Sequence, residues 1–470
     1  MAKKNGFGYP EELQRSMGGF SSFAVSFSLI SVLTGIFANF SFGYQQAGGS
    51  VIWSWSLVAS GQLLVALVLA RLAFHYPIAG YGYQWAARLV DTKMGFFVGW
   101  FLLIQFLTGF PGICQTFTTW ATALMGITLS GWQGPLATVG VITLVTFVHR
   151  YGMTLVARVN DAGVFTEMVG VLLLLVLLAG AWLGGGIDGG KNLMEAFRMA
   201  GTGTLTFSSF SLSMLLGAWC LTGFEAAADL AEETQSPQRH VPRAVIVSHV
   251  SASLSGLFLL VLLCFHAWDL PASESGNLIA EVLLAKLGSQ LTAVVMVFVL
   301  ISILACAIAS MATASRLLFS LARDRILPYS AWLARVNPRS KSPANATLFV
   351  GVASSMAILF LQRIEMITSV SALATYLGYA GILLAVMLGA KRLPKPLFGG
   401  AYGAWIPRIA LLWVLAVAAA LAIPENPVPG FSTLHLPLWS TLFAAGIGLL
   451  LYLFHVRWKI RKGLAGPPTP

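Results

Sequence analysis

The sequence predicts an all-α membrane protein of twelve transmembrane helices, on three observations. Only 10% of its 470 residues are charged, where a soluble protein carries roughly a quarter. Residues 16–70 and 94–149 contain no Asp, Glu, Lys or Arg, and the runs 168–187, 199–224, 244–268, 287–315, 342–362, 366–390, 409–424 and 426–456 are equally clean. About 20 apolar residues cross the hydrocarbon core as a helix. Spans at 20–42, 51–70, 95–122, 135–149, 162–183, 208–231, 244–267, 291–316, 344–361, 366–389, 406–423 and 437–456 leave both termini on one side. That side then collects 24 of the 28 Lys and Arg, and the other keeps Lys191, Arg198, Lys286 and Arg363. Such an excess marks the cytoplasmic face. The net charge of +11 therefore reports topology, with cytoplasmic termini in a plasma (inner) membrane, and names no nucleic-acid partner.

Residues 1–15 are polar and the first apolar run exceeds a signal-peptide core, so no cleavable leader is expected. Cys114, Cys220, Cys264 and Cys306 all fall inside apolar runs, which implies no disulfide framework. His75, His149, His240, His249, His266, His435 and His455 are scattered, without the spacing of a metal site. No metal or cofactor is expected. A membrane enzyme would need clustered acid, base or nucleophile groups, and the chain offers none.

Taken in order, the tail carrying Tyr9-Pro10-Glu11-Glu12 is expected on the inner surface. In span 1, Ser28, Ser31 and Thr34 recur at every third residue, roughly one helix face. They either bond back to helix carbonyls or face a substrate. Span 2 ends at Arg71, and Tyr76–Tyr83 is too polar and too broken to span, so it reads as a short inner-surface segment. Span 3 sets Gln105, Gly109, Gly112 and Thr116 on one face. Small residues there favour close helix packing, and Gln105 is the member suited to a cavity.

Span 5 holds Glu167, with Gly163 and Gly170 on its face. Inserting a carboxylate costs at least about 2.5–3.5 kcal/mol, so Glu167 is either a packing carboxyl or a proton-coupling group. In span 6, Glu225 lies just past a glycine and beside Trp219 and Phe224. An acid there suits an ammonium, aided by cation–π contact, or caps a half-helix. Span 8 lines up Ser302, Cys306, Ala309 and Thr313, and span 10 offers Tyr376 and Tyr379; of these, Ser302 and Tyr376 are the candidate gating residues.

Two stretches stand out against this background. Leu33-Thr34-Gly35-Ile36-Phe37 and Leu221-Thr222-Gly223-Phe224-Glu225 sit mid-span, 188 residues apart. Glycine costs about 1 kcal/mol inside a helix. Paired interruptions in corresponding places of two halves point to a transporter site.

Several motifs then resemble the amino acid–polyamine–organocation (APC) superfamily. Thr34-Gly35-Ile36-Phe37 is similar to its T-G-I-F. Gly223-Phe224-Glu225, with Glu232-Glu233-Thr234-Gln235-Ser236-Pro237-Gln238-Arg239-His240-Val241-Pro242-Arg243-Ala244, resembles G-F-[DE]…E-E-T-x-x-P-x-R-x-[IV]-P-R-A. Ser315-Arg316 and Ala322-Arg323-Asp324-Arg325-Ile326-Leu327-Pro328 resemble S-R…A-R-D-x-x-L-P. The span 1 wording and Ala226-Ala227-Ala228-Asp229-Leu230 look most like the amino acid/choline branch.

The resemblance implies a LeuT-like fold of 5+5 inverted repeats with broken helices 1 and 6. Residues 1–15 are then a cytoplasmic tail, 16–190 the first repeat, 191–390 the second, 391–456 the peripheral spans and 457–470 the C-terminal tail. It also implies that backbone near Ser31, Val32, Leu33, Thr34 and Gly35 receives a substrate carboxylate. Backbone near Trp219, Cys220, Leu221 and Thr222 would receive the amino group, with Gly223, Phe224 and Glu225 beside it as further substrate-binding candidates. The expected activity is secondary transport of an amino acid or related amine by alternating access, as proton symport. An exchanger, or a carrier of choline, GABA or polyamine type, is the alternative. Span 5 departs from the pattern: proton-coupled relatives can carry a lysine where sodium-coupled ones hold their ion, and here the deep ionisable group is Glu167. A proton rather than Na+ is the expected coupling ion.

Overall fold

Backbone polar groups in hydrocarbon must bond within their own segment, which favours helices, and a computed structural model of the chain is built that way. It describes residues 6–149, 152–184, 205–268, 270, 277–393, 397–399, 403–422 and 436–468. Lys3, Lys4, Arg150, Lys191, Arg198 and Lys395, which entered the charge asymmetry, lie outside the described residues, as does the expected boundary between the two repeats. Among the described residues the sole extended pairing is a bridge between Met17 and Thr234.

The first helices are α1 (Gly19–Ile30), α2 (Val32–Ala47), α3 (Val51–His75), α4 (Tyr81–Leu89), α5 (Thr92–Leu124), α6 (Gln133–Val148) and α7 (Met153–Gly184). They are followed by α8 (Phe207–Cys220), α9 (Ala226–Asp229), α10 (Pro237–Trp268), α11 (Leu278–Arg323), α12 (Ser330–Leu333) and α13 (Ala344–Leu361). The last are α14 (Ile364–Leu388), α15 (Trp405–Ala422), α16 (Leu436–Leu451) and α17 (Arg457–Arg461). Nine segments among the described residues are long and apolar enough to cross a bilayer, the first running from Gly19 to His75; α6 and α8 are apolar but shorter. Two spans outrun their charge-free cores. α7 starts at Met153 rather than 162, and α11 covers 46 residues with non-helical backbone at Gly288. Charged residues within a turn or two of a membrane face do not stop a helix, because long side chains reach the interface.

Small residues set the closest helix approaches. A methyl group added at Gly109 or Gly112 on α5 would press on Ser371 or Ile367 of α14. One at Gly163 on α7 would run into Ala305 of α11. The glycine faces read from spans 3 and 5 are thus packing seams.

The charged loop motifs converge at the basic end of the bundle. Arg316 donates to both oxygens of Glu233 at 2.7 and 3.3 Å, each side chain 1% exposed. Arg323 forms a two-pronged bond with Glu232 at 2.9 Å. The N-terminal tail is tied to the same loop, since Met17 N–H donates to Glu233 O and Gln235 N–H to Met17 O.

Two expectations need correcting here. The tail does not lie wholly on the surface: Glu11, Glu12 and Arg15 are exposed, but Tyr9 is buried, its hydroxyl 2.8 and 2.9 Å from the Asp324 oxygens, and Arg323 stacks 3.6 Å over its ring. Residues 76–83 do not lie on the surface either. They lead into α4, whose Tyr83 and Gln84 donate to Asp324 at 2.6 and 3.0 Å. The reason is common to both, because an aspartate closed off from water needs donors, and these segments supply them. Burial pushes the Asp324 carboxyl above its ordinary range, with the Tyr83 bond and the Arg323 charge opposing the rise. Burial and the Asp324 charge push the Tyr9 phenol up as well.

Removing one member of a buried ion pair strands the other and costs about 3–5 kcal/mol. Glu233→Ala is therefore expected to lower the melting temperature of the purified protein far more than Glu11→Ala, which breaks an exposed pair with Arg15. Equal melting temperatures for the two variants would show that the Arg316 pair does not hold the loop.

Candidate functional site

Span 1 leaves the helix at one residue. α1 ends at Ile30, Ser31 takes φ 35° and ψ 92°, and α2 begins at Val32. A serine in that region is strained and needs local support, which Ser31 has on three sides. Its hydroxyl accepts from Thr34 N–H, lies 2.6 Å from the Thr34 hydroxyl and donates to Glu167 Oε1 at 2.9 Å. Leu33 N–H makes a longer contact of 3.5 Å with the same carboxyl oxygen. A carboxylate at a helix N-terminus is stabilised by the dipole, so Glu167 on α7 serves the start of α2. Ser28, Ser31 and Thr34 do not form a continuous helical face, because Ser31 is the point of rupture.

The rupture frees carbonyls of α1, and thiols meet them. Cys306 Sγ donates to Leu29 O at 3.6 Å, and Cys220 Sγ lies 3.7 and 3.8 Å from Ile30 O and Ser31 O. Cys306, read from the sequence as part of a packing stripe, is thus a partner of the break.

Span 6 breaks opposite. α8 stops at Cys220, Thr222 Oγ1 donates to Trp219 O at 2.7 Å, and Gly223 turns at φ 98°. Glycine is required there twice over: the dihedral is left-handed, and a methyl group would press on Leu29. Ser26 of α1 bonds Phe224 O and Ala227 N–H at 2.7 and 3.0 Å, stitching the two breaks together.

Glu225 does not cap α9. Its Oε2 accepts from Tyr379 hydroxyl at 2.7 Å and from Gly223 N–H at 3.2 Å, while Oε1 is buried without a hydrogen bond. The Gln105 side chain reaches toward this carboxyl. Tyr379, which also stacks on Phe224, is the span 10 residue in contact with Glu225. Tyr376 instead accepts from Gln62 at 2.8 Å on α3. The packing of α14 against α3 and the span 6 break distinguishes the two tyrosines, and no single span encodes it.

A cavity of about 30 Å³ lies between the breaks, room for about two waters. Thr34, Gln105, Trp219, Cys220, Thr222 and Gly223 line it, all expected from the sequence. Ser310, Ser371 and Gly109 line it as well, and of these only Gly109 had been singled out, for packing. Ser31, Val32, Leu33, Gly35, Leu221, Phe224 and Glu225 stand around it without lining it. Ser302 is buried on α11 with its hydroxyl unbonded. Gly35 carries a packing constraint that the sequence did not announce. It is where α2 touches α8, and any side chain would collide with Cys220 rather than fill a carboxylate pocket.

Comparison with known proteins agrees with this architecture. Residues 17–452 match the family described as amino acid permease. The chain is 26% identical to the amino-acid permease BAT1 of Arabidopsis thaliana over 96% of its own length and 93% of that protein. It is 26% identical to an uncharacterized amino-acid permease of Schizosaccharomyces pombe, over 98% of this chain and 85% of the relative. Amino-acid permease 2 of Neurospora crassa is 25% identical, over 89% and 81% respectively. The match runs from the N-terminal bridge through the last apolar segment, and the chain therefore belongs to the amino acid permease family of the APC superfamily.

Proposed function

We propose that the protein is a secondary transporter that carries an amino acid inward with a proton by alternating access. In this reading the chain crosses a plasma membrane twelve times with both tails cytoplasmic. Residues 16–190 and 191–390 form inverted repeats, and 391–456 stand outside them. The relatives named as amino-acid permeases supply the substrate class. The single observation that carries the site is the pair of interruptions at Ser31 and Leu221–Glu225 on either side of one cavity.

Half-helix N-termini attract anions and freed carbonyls attract cations. The substrate carboxylate then belongs at the start of α2, near Ser31 to Gly35. The amino group belongs near the Trp219–Thr222 carbonyls and the Glu225 carboxyl. The cavity holds only waters at its present size, so binding requires the surrounding helices to part. Gln105 and Trp219 are the side chains best placed to shape the substrate, and Ser302 and Tyr376 back the helices that would move.

Coupling follows from shared occupancy. Glu167 and a substrate carboxylate would compete for one helix N-terminus, and two anions there repel. A proton on Glu167 removes that repulsion, so proton and substrate favour each other's binding, and linkage makes the effect reciprocal. A second reading rests on Glu225, whose unbonded, buried Oε1 suits an extra ammonium. That would favour a GABA-, choline- or polyamine-type cargo, or exchange of such amines.

Uptake of radiolabelled alanine and GABA into proteoliposomes, with and without an inward proton gradient, tests the proposal. Wild-type uptake of alanine is expected to rise with the gradient and to ignore Na+. Glu167→Gln should transport at a rate that no longer follows pH; an unchanged pH profile would remove Glu167 from coupling. GABA uptake alone would select the second reading.

Gly35→Ala should lower both thermal stability and uptake, because its methyl group meets Cys220. Adding Cys220→Gly should recover part of both. Full activity of the single variant would contradict the close approach of α2 and α8.

A further inference from the structure

A second cavity lies far from the breaks, in a groove between α6 and α13. It measures about 660 Å³, within the roughly 300–1,000 Å³ of small-molecule sites. Its upper walls are apolar and face outward: Phe147, Leu348, Val352 and Met356 line it and are each at least half exposed. On a membrane-spanning chain those residues meet acyl chains, so the groove opens sideways into lipid.

One end of the groove is different. His149, Asn337 and Asn345 line it there. His149 is 4% exposed, with Nδ1 held by Val145 O and Nε2 lacking a hydrogen bond among the described residues. Asn337 organises the loop before α13, its Oδ1 accepting from Arg339 and Ser340 N–H and its carbonyl from Lys341 N–H. This turn presents Arg339 and Lys341 to solvent, and neither has a salt bridge among the described residues.

We infer that the groove binds one anionic phospholipid, with an acyl chain along Val352 and Met356 and the headgroup phosphate at Arg339 and Lys341. The occupant is chosen by the arrangement of the groove, apolar on its outward walls and polar at Asn337 and Asn345, where the turn carrying the exposed Arg339 and Lys341 adjoins it. Basic pockets between spans at that face suit anionic headgroups, each Lys or Arg contributing on the order of 1 kcal/mol. A zwitterionic lipid would fill the same walls but gain little from the cations. The inference does not rest on the substrate or the coupling ion.

Native mass spectrometry of the purified full chain tests it, titrating palmitoyl-oleoyl phosphatidylglycerol against the phosphatidylcholine with identical chains. Phosphatidylglycerol is expected to be retained about thirtyfold more strongly, and R339Q/K341Q should bring it to the phosphatidylcholine level. Both positions are exposed, so that variant should fold normally. Ser355→Phe, which fills the groove wall, should reduce retention of both lipids. Equal retention of the two lipids by the wild type, or an unchanged preference in R339Q/K341Q, would overturn the proposal. So would competition by sn-glycerol 3-phosphate as effective as by the lipid, which would place a free phosphate, not a lipid, at the turn.

Discussion

A helix that stops inside hydrocarbon exposes carbonyls and amides that lipid cannot satisfy, and this chain does so twice within reach of one cavity. Most of the unusual side chains in the apolar core answer that debt. Glu167 and the Ser31 hydroxyl take amides at the start of α2, and the thiols of Cys220 and Cys306 meet carbonyls at the end of α1. Ser26 closes the span 6 turn from the other side. Thiol and hydroxyl bonds of this kind are weak singly. They hold the break without sealing it, which suits the proposed role of this backbone in receiving a substrate.

The polar end of the bundle is the counterpart of this loose centre. Asp324 gathers Tyr9, Tyr83 and Gln84, while Arg316 and Arg323 take the two acids that follow the span 6 break. Asp229, one turn after Glu225, accepts from Gly80 at the head of α4. Rigid, fully bonded networks are costly to leave half-satisfied. Any motion that opens the cavity toward this end must exchange these bonds as a group, as the proposed alternation of access requires.

Much of this was legible in the residues. Charge-free runs located the helices, and Gly223 marked the span 6 break, whereas in span 1 Gly35 lies one turn inside α2 and the break itself falls at Ser31. The loop motifs pointed to one family, and the structure shows what they do, as a buried network of ion pairs and aspartate bonds. Three things could not be read. Tyr9 lies 315 residues from Asp324, and nothing local to a polar tail announces that it is buried. Tyr376 and Tyr379 are one helical turn apart, so only the packing of α14 against its neighbours assigns Glu225 to the second. At Gly35 a close helix crossing was not legible, since a crossing and a ligand pocket leave the same mark in a sequence.

The account stands on the cavity between the breaks being the substrate site. Cys220 and Cys306 line it, whereas Cys264 does not. In a Cys114→Ala, Cys264→Ala background, the rate at which a small membrane-permeant thiol reagent modifies the protein can be followed as amino acid is added. The account predicts a saturable fall in that rate, with half-protection at the concentration that half-saturates uptake. Modification that proceeds at the same rate at saturating substrate would contradict it.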